Sequence, residues 1–136
     1  MNIDEYNELA EQLHEHVMGI NADTAAVDLI TQHGVWLRRR DFAPFVRHAR
    51  YDTGEPMAEI RWRAAHTALR RGHLPCSGSE ADVLAIACSL AIGVPISLRR
   101  VLGNLDDRNF VRVMRALGIA NNTWPISQTL EIPDDF

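Results

Sequence analysis

The sequence predicts an all-α protein: a single compact domain of about six helices over residues 1–120, then an extended tail over 121–136. Three observations carry this. Ser77 to Gly118 reads as three consecutive helices with start and stop signals intact. The first of the three is apolar nearly all the way round, as a central core helix is. No segment reads as a convincing strand.

The first helix is expected over Ile3 to Met18, stopped by Gly19. Ile3, Tyr6, Ala10, Leu13, Val17 and Ile20 are spaced 3, 4, 3, 4, 3, an a/d seam of about two and a half heptads. That seam packs on the protein's own core or pairs two copies of the chain. A second helix starts at a cap on Asn21 or Asp23 and ends at Gly34. In VWLRRRDFAPFVRHARY, Asp41 is placed to cap a third helix, with Phe42, Phe45, Val46 and Ala49 facing inward. DTGEP is a turn. Pro56 then opens a helix that runs to Gly72, with Met57, Ile60 and Ala64 on one side and Trp62, Ala65 and Leu69 on another.

The C-terminal cassette begins with Ser77 and Glu80, an S-x-x-E capping box, and its first helix ends at Gly93 before Pro95. Leu84, Ile86 and Leu90 are expected in the core. Ser97 caps a short helix carrying Val101, Leu102 and Leu105. Asp106 caps the last helix, whose Phe110, Val113, Met114 and Leu117 follow the i, i+3, i+4, i+7 pattern of an inward face, closed by Gly118. The tail has no periodicity, and Trp124 is its candidate anchor.

Charge is unevenly placed. Residues 1–37 carry seven acids and no base, residues 38–73 carry nine arginines against four acids, and the chain has no lysine. This dipole permits head-to-middle pairing between subunits or binding to a modestly anionic partner. The two cysteines form no disulfide framework or zinc spacing. Cys76 precedes a helix start near His73 without a catalytic signature around it, and Cys88 belongs to the core. Glu11 and His14 form a single E-x-x-H where a di-iron bundle requires two. No phosphate-cradling loop or nucleophile motif is present, so no catalytic residue, cofactor or metal is expected. The acidic N-terminus reads against a secretory signal. The longest uncharged run, Val83 to Leu98, is too short and broken to span a bilayer. The cytoplasm is the expected compartment, with no membrane partner.

SLAIGVPISLRRVLGN has the look of a helix-turn-helix and resembles the G-V-S-x-x-T-V-S-R-V-L-N pattern of lac-repressor-type regulators with one residue deleted after the turn. On that reading Arg99, Arg100, Arg108, Arg112 and Arg115 supply phosphate contacts. A second resemblance covers about a third of the chain. S-G-S-E-A-D-V-L-A-I-A-C-S-L-A-I-G-V-P-I-S-L, continuing to L-D-D-R-N, is similar to a recurring pattern in small uncharacterised proteins of actinobacteria and their mobile elements. It implies a helical packing unit in the cytoplasm and a phage or plasmid accessory role, with no activity to transfer. The leading expectation is a non-enzymatic module that binds a host protein or itself. Its surfaces would be Ile3, Tyr6, Leu13 and Val17 together with Arg38, Arg39, Arg40 and Arg47. A small DNA-binding regulator is the alternative.

Overall fold

The computed structural model describes residues 1–124. Six α-helices run Ile3–His16 (α1), Asn21–His33 (α2), Trp62–Arg70 (α3), Gly78–Ile92 (α4), Leu98–Asn104 (α5) and Asp107–Ala120 (α6). Two strands, Val46–Arg50 (β1) and Pro56–Ile60 (β2), and short 3-10 turns at Trp36–Arg38 and Ala43–Phe45 complete the described chain. The protein is mostly helical rather than all-α. Most of the expected tail, residues 125–136, lies outside the described residues.

α4 is the centre. Every residue from Asp82 to Cys88 is buried, including Leu84 and Ile86, whereas Leu90 is only half-buried near the helix end. The capping box forms as the sequence predicts. Ser77 Oγ accepts from the Glu80 backbone N–H at 3.2 Å, and a Glu80 carboxylate oxygen accepts from the Ser77 N–H at 3.0 Å. Gly93 closes the helix in the left-handed region at φ 72. Ser77→Ala should lower stability by about 0.5–2 kcal/mol in urea unfolding with an unchanged m-value, because it removes a cap and little else. An unaltered midpoint would mean that the cap adds nothing.

α2 packs between α4 and α6. Its six consecutive buried residues, Ala25 to Ile30, include two alanines at the start that let neighbouring backbones come close. The expected cap is absent: Ile20 occupies the N-cap position with no side-chain bond, and Asn21 is already helical. α1 lies on α2 and β2. It ends at His16 rather than Met18, and its start is fixed by a reciprocal Asn2–Glu5 capping box.

The middle of the chain departs from the helical expectation. Residues 46–60 form an antiparallel hairpin with Val46 opposite Ile60 and His48 opposite Ala58, the DTGEP turn joining the strands. Asp41 caps nothing, since its carboxylate is held by Arg39 at 2.8 and 2.5 Å. Pro44 sits in a 3-10 turn. The Arg61 N–H donates to the Phe45 carbonyl at 2.7 Å and closes the hairpin, so α3 starts only at Trp62. Segments this short, with two apolar residues in five in β1, fix neither a helical nor a strand period, and cross-strand pairing decides between them. Trp36 and Phe42 are fully buried with ring centroids 5.6 Å apart, and the Trp36 indole donates to the Glu80 carbonyl at 3.0 Å. That contact ties the irregular segment to the first turn of α4.

α5 follows its Ser97 cap as expected, but only Val101 is buried; Leu105 is half-buried and Leu102 faces solvent. α6 starts at its Asp106 cap and continues through Gly118 to Ala120. A Cβ at Gly118 would lie 2.8 Å from the Trp124 Cβ, so the glycine makes room for Trp124 rather than ending the helix. Trp124 packs against the core and does anchor the start of the tail.

Candidate functional site

α6 carries two apolar faces, and the structure buries the one built from smaller residues. Val113, Ala116 and Ile119 point inward together with Asn109 and Arg115. Of the four expected inward positions Val113 is buried, but Phe110, Met114 and Leu117 are 43%, 48% and 51% exposed. They lie at i, i+4 and i+7, so they form one stripe along the helix. Asp107 is the only charged residue on that side, because Arg108, Arg112 and Arg115 fall on the remainder of the wheel. On α5, Leu98 and Leu102 are likewise exposed at i and i+4. Large apolar side chains grouped on one helix face mark an interaction surface more often than scattered ones do.

The inward face of α6 is fixed by an ion pair. Arg115 Nε donates to Asp28 Oδ2 of α2 at 3.0 Å, and both side chains are buried. Burial pushes the Asp28 carboxyl above its ordinary range, and the Arg115 hydrogen bond and charge oppose that rise. His14 of α1 stands nearby with Nε2 3.3 Å from Thr31 Oγ1; burial holds its imidazole below the usual value, against the pull of Asp28. Tyr6 completes this layer by donating its hydroxyl to the Thr31 carbonyl at 2.7 Å. The group borders a cleft of about 1090 Å³ between α1, α2 and α6, whose rim includes Glu8, Glu11 and Glu15. Among the described residues, no group of three His, Cys, Asp or Glu is placed to hold a metal ion.

The residues expected to form the head seam are divided. Tyr6 and Leu13 are in the protein's own core, Val17 is half-buried against it, and Ile3 and Ile20 are exposed. Burial of Leu13 and Tyr6 removes the centre of a self-paired seam on α1, since an a/d pattern this short is equally the pattern of a helix lying on its own domain. The arginine surface is also partly occupied. Arg39 pairs with Asp41, bonds the Pro75 carbonyl at 2.7 Å and stacks over Trp36; Arg47 pairs with Glu59; Arg38 lies 4.8 Å over the Tyr6 ring. Arg40 is exposed. Glu59 additionally receives His16 of α1 at 2.9 Å, which joins the hairpin to the first helix.

Of the arginines expected at a nucleic-acid surface, Arg99, Arg100 and Arg108 are exposed. Arg112 donates to Asn109 Oδ1 at 2.8 Å, and the Arg115 guanidinium is buried against Asp28 and therefore closed to a phosphate. Neither cysteine has an activated thiol. Burial, aided by Glu80, raises Cys76, and burial alone pushes Cys88 up to about 12. The exposed stripe escaped the sequence because α6 satisfies the helical pattern twice; Arg115 beside the smaller face, matched to Asp28 far upstream, is the signal that separates the two. Comparison with family models, curated proteins and solved structures finds no match to this chain.

Proposed function

We propose that this protein is a non-enzymatic interaction module that pairs with a second copy of itself through the outward face of α6. The exposed Phe110–Met114–Leu117 stripe carries this reading. In an antiparallel pairing centred between residues 113 and 114, Phe110 of each copy lies opposite Leu117 of the other, with the two Met114 side chains close to the axis. The face lacks basic residues, so like copies bring no opposed arginines together. Among the described residues, no helix is long and apolar enough to cross a membrane.

Met114→Asp should convert the dimer to monomer in sedimentation equilibrium, weakening association by about 10- to 100-fold, as loss of a central apolar anchor does. Helical circular dichroism and melting temperature should hold, since Met114 is exposed in the single chain. A wild-type chain that stays monomeric at high concentration, or a variant that dimerises as well as wild type, overturns the proposal.

The DNA-binding alternative rests on Arg99 and Arg100, which both stand exposed on α5 after the Gly93–Pro95 turn. It requires duplex affinity that falls steeply with salt and is lost in the Arg99→Glu/Arg100→Glu variant. Retention of a specific duplex by the monomeric Met114→Asp variant would favour it over self-association.

A further inference from the structure

α3, α4 and the loop leading into α5 surround a second cleft, of about 870 Å³, away from the outward face of α6. Its buried members are Asp82, Ala85 and Val94, and Arg63, Arg70 and Arg100 stand exposed around it. Asp82 is 4% exposed, and its Oδ2 has no hydrogen-bond partner. A buried carboxylate oxygen without a partner is costly, and a folded chain retains one where something else completes it. The three guanidiniums bordering the same cleft form no ion pair with it, although nothing in their chemistry forbids one.

Those groups define the missing ligand. Asp82 as a carboxylate only accepts, so the group that meets it must be an N–H or O–H donor. Three arginines against one aspartate leave the cleft with two positive charges, which suits a phosphate dianion held by guanidinium forks. Between them Leu69, Val94 and Ile96 offer an apolar wall for a flat body. We propose that this cleft binds a nucleoside monophosphate, its phosphate on the arginines and its base N–H donors on Asp82. A purine that presents two adjacent N–H groups, as guanine does, matches a carboxylate best.

The test is calorimetric titration of the full chain with guanosine monophosphate, guanosine and inorganic phosphate. The nucleotide should bind at least about tenfold more tightly than inorganic phosphate, because it adds a charge-assisted hydrogen bond. Asp82→Asn should abolish that advantage while phosphate binding persists. Arg63→Ala/Arg100→Ala alters exposed residues only, so it should fold normally and weaken nucleotide and phosphate together. Equal affinity for nucleotide and phosphate, no binding of either, an undiminished preference in Asp82→Asn, or unchanged nucleotide affinity in the double arginine variant each overturns the proposal.

Discussion

Arg115→Met should cost about 3–5 kcal/mol of unfolding free energy near neutral pH, the penalty for leaving Asp28 charged and buried without its partner. The loss should depend on pH. Burial already raises the Asp28 carboxyl above its unfolded value in the native protein, and removing the guanidinium removes the main opposing influence. The variant's folded state then holds its proton to higher pH than its unfolded state does. Within that window the folded state binds more protons, so stability falls as pH rises and is regained as pH drops toward the ordinary carboxylate range. Urea unfolding of wild type and variant at about pH 7 and about pH 4 checks both the size and the sign. A deficit that is equal at the two pH values would mean that the cost comes from lost packing alone. Asp28→Leu/Arg115→Met, which removes both charges, should recover most of the lost stability.

Leu84→Ala should cost about 2–5 kcal/mol, because its side chain is fully buried at the middle of α4 and the surrounding helices cannot close over the cavity. The same truncation at Leu90, half-buried near the end of the helix, should cost clearly less. Equilibrium unfolding of the two variants gives the comparison directly. A Leu84→Ala loss below about 1 kcal/mol would displace α4 from the centre of the fold.

These two sites also show what the sequence makes legible. α4 is readable from end to end because its signals are local: a Ser–Glu box, an apolar run and a glycine stop all lie within one window. α2 ends, α5 starts and the Gly72 turn are readable for the same reason. The hairpin is not, because the Val46–Ile60 pairing joins residues across a turn and leaves no periodic trace in either strand. The site is harder still. Phe110, Met114 and Leu117 have the spacing of a core face, and nothing near them in sequence says that Ala116 and Ile119 join Val113 in the interior in their place. Arg115 and Asp28 are 87 residues apart, so the contact that decides the matter is invisible to any local pattern. Asp82 is equally hidden, one of four polar side chains in a helix whose sequence is otherwise apolar or small.

The Arg115–Asp28 pair therefore acts as a keel. A helix with two greasy sides can settle in its cradle either way up, and hydrophobicity alone would favour burying the bulkier side. The ion pair makes one orientation singular, since the other would strand Asp28 in the interior and turn Arg115 elsewhere. An all-apolar replacement of the pair can thus be sturdier than the natural protein and still be the wrong protein. Freed of its keel, α6 can roll and swallow Phe110, Met114 and Leu117, leaving a well-folded chain with nothing sticky to show.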